Sequence, residues 1–230
     1  MRPTFYQTTG KRLFDVVFSA FGLLVLSPLL AVVAVVVKLT SPGPIIFRQI
    51  RTGQFENPFF ILKFRSMRPA PAGKGALLTA AGDPRITPLG HWLRKTKLDE
   101  LPQLFNVFRG DMSLVGPRPE VPLYTAQYNA RQKRVLLARP GITSPQINFD
   151  EETLMASHSD KEHFYLTEIL PTKLECDLAY CENIAFFSDL KILLHTVAQL
   201  FLRPFGLFAA KPSANSSPRD NRHASGLPLP

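Results

Sequence analysis

The chain has 230 residues, room for one domain of ordinary size and an appendage. Its formal net charge is +9, and residues 45–118 hold 12 Lys and Arg against 5 Asp and Glu, so an excess of +7 sits in that one segment. Such a patch attracts an anion (nucleic acid, lipid headgroup or phosphorylated substrate), and the absence of zinc-finger spacing and of an RNA-recognition aromatic motif sets nucleic acid aside.

Residues 16–37 contain no charge. These 22 residues would span about 33 Å as a helix, enough to cross a bilayer. Ser27-Pro28 sits at the centre of the run, where proline removes one helical hydrogen bond. Lys11 and Arg12 precede the run and Lys38 follows it. The positive-inside rule then puts both ends on one side or gives no orientation. A helix that enters and leaves by one leaflet satisfies both features, and a kinked crossing helix also fits the residues. A charge deep in a bilayer is costly, so Asp15 is expected at headgroup level or paired with Arg12. The run is longer than a signal-peptide core and no cleavage site clearly follows it.

Thr40-Ser41-Pro42-Gly43-Pro44 ends the helix. Two strand-like runs, 45–49 and 59–64, flank turn residues and predict a small β-hairpin. Lys63 and Arg65, two apart on an alternating strand, are expected on one face, either the site or solvent. Residues 69–84 are rich in Ala, Gly and Pro and predict a mobile loop. Residues 88–97 predict a basic helix. A second helix is expected near Asp99, with Pro102 in its first turn. Residues 120–138, 154–181 and 185–202 predict three more helices, the last amphipathic and suited to a membrane surface. The tail from Lys211 is polar and predicts disorder. Cys176 and Cys181, five apart, fall on different helix faces and read as free thiols. His91, His158 and His163 show no ligand spacing and read as surface or packing residues.

The most informative stretch is Leu98-Asp99-Glu100-Leu101-Pro102-Gln103, followed by Arg109-Gly110-Asp111-Met112-Ser113-Leu114-Val115-Gly116-Pro117-Arg118-Pro119-Glu120. It sets adjacent carboxylates among arginines, downstream of a membrane-length apolar run. Carboxylates can hold Mg²⁺ or attack phosphorus, and guanidinium groups grip phosphate oxygens as planar forks. Together these residues suggest phosphoryl transfer at a membrane surface. The bland reading is a solvated helix start whose acids complement the dipole.

Six blocks in order decide between these readings. They are Lys11-Arg12-Leu13-Phe14-Asp15, Ser41-Pro42-Gly43-Pro44, Lys63-Phe64-Arg65-Ser66-Met67, the Leu98–Gln103 run, Gly116-Pro117-Arg118-Pro119 and Arg139-Pro140-Gly141-Ile142-Thr143. Asp177 with Tyr180 and Asp189-Leu190-Lys191 also fit. On these residues the chain resembles the bacterial sugar transferases, the monotopic phosphoglycosyl transferases, over about residues 10 to 203. The resemblance implies transfer of a sugar 1-phosphate from a nucleotide diphosphate sugar to undecaprenyl phosphate, initiating surface-glycan assembly. It implies Mg²⁺ as cofactor and a covalent phosphosugar–enzyme intermediate, with Asp99 as nucleophile and Glu100 as a metal ligand. It also implies a re-entrant membrane helix kinked at Ser27-Pro28 and a location on the cytoplasmic face of the bacterial inner membrane. Lys63, Arg65, Arg94 and Arg118 are the candidate phosphate clamps, and Asp177 is a further candidate substrate contact.

The family pattern after Gly-Ile-Thr is replaced here by Ser144-Pro145-Gln146-Ile147-Asn148 and then Phe149-Asp150-Glu151-Glu152. That marks a variant branch and leaves the sugar open. The expected fold class is α+β, mainly helical with a small β-hairpin and an N-terminal re-entrant membrane helix. The expected parts are an extension (1–10), the membrane helix (11–40), a catalytic domain with interfacial helices (41–203) and a disordered tail (204–230). Two rival functions are a non-catalytic adaptor binding anionic membrane lipid and a nucleotide-sugar phosphohydrolase. The oligomeric state is open, a homodimer included.

Overall fold

A computed structural model describes residues 4–68, 78–79, 82–145, 151–156 and 158–202. The expectations for the loop within 69–84, for residues 146–149 and for the tail fall mainly or wholly outside the described residues. The fold is mainly helical, with two small two-stranded sheets among the described residues.

Helix α1, Lys11–Thr40, continues through Pro28. Pro28 has no amide hydrogen for the Leu24 carbonyl, and the Ser27 hydroxyl donates to that carbonyl instead, at 2.8 Å. The Ser-Pro pair therefore satisfies the backbone group that proline orphans, as an apolar environment demands. The span Tyr6–Thr40 is long and apolar enough to cross a membrane, and only 11% of its most apolar window is buried, so it is not a core helix. Its buried residues are Asp15, Ser19, Val33 and Val37. At 100° per residue these four share one stripe. Phe18, Phe21, Leu24, Val25 and Val32 are exposed. One face of the helix thus lies along the rest of the protein at both ends, and an apolar face is left for lipid.

The ends are fastened by polar contacts. Asp15 is buried within the protein and does not pair with Arg12. It is 1% exposed, and its Oδ1 accepts from the Leu114 amide at 2.9 Å and the Ser113 hydroxyl at 3.0 Å. Arg12 instead donates to the Val107 and Phe108 carbonyls at 2.7 and 2.8 Å. Lys11 pairs with buried Asp189, which also accepts from Tyr6 and Tyr180 at 2.6 and 2.7 Å.

Strands β1, Ile46–Thr52, and β2, Pro58–Phe64, form the antiparallel hairpin, with Ile50 opposite Phe60. Helix α2, Pro88–Lys95, starts on a Thr87 cap, whose hydroxyl accepts from the Gly90 amide at 2.9 Å, with proline in the first turn. A 3₁₀ turn, Leu98–Glu100, leads to α3, Gln103–Arg109. Helix α3 ends on Gly110 at φ 101°, where the left-handed backbone lets one amide reach the Asn106 and Val107 carbonyls. Asn106 lies against the free edge of β2. Its side chain accepts from the Leu62 amide at 3.1 Å and donates to the Phe60 carbonyl at 2.8 Å, as a neighbouring strand would.

Strands β3, Ser113–Val115, and β4, Gly141–Thr143, pair in parallel, a sheet not expected from so short a pattern. The predicted helix over 120–138 is two short pieces, α4 (Pro122–Thr125) and a 3₁₀ turn (Gln132–Leu137). Asn129 and Gln132 explain the restart, because each side chain accepts the other's amide at 2.9 Å. The helix predicted over 154–181 is also divided. Helices α5 (Glu151–Ala156) and α6 (Lys161–Phe164) are separate because Asp160 caps a new start, accepting from the His163 amide at 3.0 Å. A π-helical turn, Tyr165–Ile169, then runs into α7, Leu170–Glu182. Helix α8, Phe186–Leu202, completes the described fold. Both cysteines are free thiols on α7. One buried cluster joins Val121, Tyr124, Tyr128 and Val135 to α7, and a second joins Ile61, Val107, Met112 and Val115 beneath the hairpin.

Candidate active site

Asp99 and Glu100 occupy the 3₁₀ turn before α3 rather than the start of an α-helix. Lys97, which opens the turn, has left-handed backbone at φ 58°. A non-glycine residue there carries on the order of 1 kcal/mol of strain. The reversal there leads into the turn that sets Glu100 against the hairpin. Glu100 Oε1 accepts from the Lys63 ammonium at 2.7 Å, and the Arg118 guanidinium lies 3.5 Å from the same oxygen. Arg51, Lys63, Glu100, Gln103 and Arg118 line a cleft of about 250 Å³. Asp99 is buried beside Glu100, 3% exposed, and its Oδ1 has no hydrogen-bond partner among the described residues. A buried acceptor left unpaired costs about 1–3 kcal/mol, so the fold holds this oxygen at a penalty.

The two carboxylates are driven apart electrostatically. Burial first, and then the Glu100 charge, push the Asp99 carboxyl above its ordinary value, against the pull of Lys63, Arg94 and Lys97. Burial also works to raise Glu100, but Lys63 and Arg118 outweigh it and hold that carboxyl far below the usual range. Glu100 is therefore the fixed anion, and Asp99 is the carboxylate whose charge is costly.

Arg118 owes its place to a close backbone crossing. The Gly116 amide donates to the Thr143 carbonyl at 3.0 Å, and the Gly141 amide to the Pro117 carbonyl at 2.8 Å. A Cβ on Gly116 would lie 2.3 Å from the Arg139 carbonyl oxygen. Only glycine permits the Gly-Pro-Arg-Pro and Arg-Pro-Gly runs to meet so closely.

The expected site residues do not all converge. Lys63 and Arg118 reach Glu100, and Arg94, on α2, acts on Asp99 through its charge. Arg65 does not join Lys63 at the carboxylates. It is 5% exposed and turned to the C-terminus of α1, donating to the Val37 and Ser41 carbonyls at 3.1 and 2.5 Å, to the Ser41 hydroxyl and to the Pro44 carbonyl. Helix ends leave carbonyls unpaired and carry partial negative charge, and a guanidinium answers both. Asp177 also lies apart. It is 3% exposed and lines a second space of about 390 Å³, whose walls include Arg118, Glu120 and Lys173. Sequence reasoning missed Arg51, Gln103, Glu120 and Lys173. Two of these had a local signal: Gln103 closes the Leu98–Gln103 run, and Glu120 follows directly on Gly-Pro-Arg-Pro.

A family model described as bacterial sugar transferase matches residues 6–203. A protein of Escherichia coli K12 named UDP-glucose:undecaprenyl-phosphate glucose-1-phosphate transferase is 39% identical over 199 residues, covering 84% of this chain and 40% of its own length. A protein of the same name from Caulobacter vibrioides is 39% identical over 193 residues, covering 83% of this chain and 69% of its own. One from Aeromonas hydrophila, named UDP-N-acetylgalactosamine-undecaprenyl-phosphate N-acetylgalactosaminephosphotransferase, is 35% identical over 201 residues, 85% of this chain and 44% of its own. The chain thus spans less than half the length of the first and third relatives. The matched span contains the whole cleft, from the hairpin through both carboxylates to Arg118, and the chain belongs to the bacterial sugar transferase family.

Proposed function

We propose that this chain transfers a sugar 1-phosphate from a nucleotide diphosphate sugar to undecaprenyl phosphate through a phosphosugar–Asp99 intermediate. The observation that carries the reading is the buried Asp99 Oδ1, unpartnered among the described residues, beside a Glu100 held ionised by Lys63 and Arg118. The relatives' names supply the substrate class.

In this reading Asp99 Oδ1 attacks the phosphorus that carries the sugar. The bond from that phosphorus to the bridging oxygen breaks, and the nucleoside monophosphate leaves with the electron pair. The acceptor's phosphate oxygen then attacks the same phosphorus, and Asp99 departs as a free carboxylate. Dividing the transfer lets one cleft serve a soluble donor and a lipid acceptor in turn. Lys63, Arg94 and Arg118 offset the repulsion between a carboxylate and a diphosphate. Asp99 must turn from its buried position to reach the donor.

The residues fit Mg²⁺. One carboxylate is held ionised and another has a bare buried oxygen, while no group of three His, Cys, Asp or Glu side chains suited to a metal occurs among the described residues. Mg²⁺ is commonly held by one or two carboxylates with substrate phosphates completing the shell. Glu100, with Asp99 beside it, would hold the ion. The chemistry it supplies is charge neutralisation on the diphosphate oxygens.

The apolar face of α1 supports a cleft at a membrane leaflet, and its basic flanks favour the cytoplasmic one. The test is nucleoside monophosphate release from UDP-glucose, UDP-N-acetylgalactosamine and further donors, with Mg²⁺ and undecaprenyl phosphate, for wild type and Asp99→Asn. The expected result is acceptor-dependent release with one donor, lost in the variant, and a sugar-phosphate mass adduct on the wild type when acceptor is withheld. Steady turnover without acceptor would instead indicate a hydrolase, and full activity in Asp99→Asn would sink the mechanism.

A further inference from the structure

Arg118 presents a positional problem. Its side chain is 38% exposed and stands 3.5 Å from Glu100, too loose a contact to fix a planar fork. The backbone must do the positioning. Pro117 and Pro119 stiffen it on both sides. Upstream, the β3–β4 crossing pins Gly116 and Pro117. Downstream, the Glu120 carbonyl accepts from the Thr52 amide at 2.9 Å, and the Pro119 carbonyl accepts from the Arg51 guanidinium at 3.1 Å.

Arg51 stands between Gln49, which holds it by hydrogen bonds, and Glu120, whose carboxylate supplies its counter-charge. Its Nη1 lies 3.7 Å from Glu120 Oε2, while Gln49 accepts from its other nitrogens at 2.8 and 3.2 Å. The other oxygen of Glu120 accepts from the Lys173 ammonium at 2.8 Å and from the Tyr165 hydroxyl. Lys173 is 2% exposed and also pairs with Glu151 at 2.9 Å. Eight residues along an ideal α-helix turn a side chain about 80° away from the first. The π-helical turn at Tyr165–Ile169 inserts the residue that brings Tyr165 and Lys173 back to one face, with Lys173 Nζ 2.8 Å from the Tyr165 hydroxyl. Glu120 and Lys173 line the second space and Arg51 lines the cleft, with Arg118 on the walls of both, and no step of the proposed reaction uses Glu120 or Lys173.

We propose that Glu120, anchored by Lys173, is a positioning residue that fixes Arg118 in the phosphate-binding cleft through Arg51 and the Pro119 carbonyl. The proposal rests on the transferase reading, in which Arg118 grips the donor diphosphate. A buried ion network is a poor stabiliser beside apolar packing of the same volume, and what it offers is directional constraint. Misplacing a clamp by about 1 Å costs on the order of 10²-fold in rate.

The test is a double-mutant cycle on the full chain in detergent, read as UDP affinity by calorimetry with Mg²⁺ present and as turnover. Glu120→Gln should weaken UDP binding by about tenfold in the wild-type background and less than about twofold in Arg118→Met, since it acts through a group no longer there. Turnover should fall by on the order of 10²-fold in the first background only. Equal losses in both backgrounds overturn the proposal. Should Glu120→Gln fail to fold, the charge-balanced Glu120→Gln/Lys173→Met chain runs the same cycle without a stranded ammonium. Wild type that binds UDP without turnover defeats the transferase reading alone, because the binding cycle still decides the role of Glu120. Wild type that binds no UDP removes the clamp and defeats both.

Discussion

Replacing Arg65 separates a helix cap from a substrate ligand. Its guanidinium donates to three backbone carbonyls, Val37, Ser41 and Pro44, and to the Ser41 hydroxyl, from a position 5% exposed. A hydrogen bond from a charged donor contributes about 1.5–3 kcal/mol, and acceptors stranded in a buried site keep their desolvation cost. Some of the freed carbonyls at the end of α1 can recruit water, so Arg65→Met should cost about 3–5 kcal/mol. For a chain of this size that is a fall in Tm of roughly 6–20 °C. Arg65→Lys keeps the charge but cannot present a fork to several carbonyls, and should lose about half as much. The assay is thermal melting in detergent, with UDP affinity measured below both transitions. The reasoning predicts a lower Tm and UDP affinity within about twofold of wild type. An unchanged Tm with UDP affinity reduced about tenfold or more would return Arg65 to the substrate site.

Asp99→Asn should abolish turnover and, in EDTA, raise Tm at neutral pH. Below the ordinary carboxyl pKa of 3.8 both folded and unfolded Asp99 hold the proton and the group is neutral to stability. As pH rises the unfolded chain ionises first, so stability is lost and the loss is complete above the raised folded value; a Tm unchanged or lowered by the substitution at pH 7 contradicts this. Lys63→Met removes the cation that does most to keep Glu100 ionised. The acid limb of its kcat profile should move to higher pH, and an unmoved limb would show that Glu100 does not depend on Lys63. Single cysteines at exposed Thr9 and Thr40, with Cys176 and Cys181 replaced by serine, should both react with an impermeant maleimide from the same side of proteoliposomes. Labelling from opposite sides would show a crossing helix.

Features built from neighbours in the chain were legible without a structure. The hairpin follows from alternation broken by turn residues, and its register runs from Ile46 to Thr52 against Pro58 to Phe64. The apolar helix, its Ser-Pro pair and the Asp99-Glu100 dyad likewise declare themselves within a few residues. The sequence pattern over 120–138 and 154–181 predicts longer helices than the chain forms. Helical pattern does not register the side-chain contacts between Asn129 and Gln132, or at Asp160, that restart the backbone.

What the sequence by itself determined is the chemistry on offer: a lipid-facing helix, a pair of acids and a surplus of cations. Only the tertiary structure decided which cation serves which anion. Lys63 and Arg65 stand two residues apart, yet one meets Glu100 and the other caps α1. Asp15 finds its donors about a hundred residues away, at Ser113 and Leu114, and Glu120, in the loop before α4, finds Lys173 on α7. The physical reason is that a charge is cheap in water wherever it stands along the chain. It acquires a particular partner only when folding strips the water away and leaves whichever counter-charge packing has brought within reach.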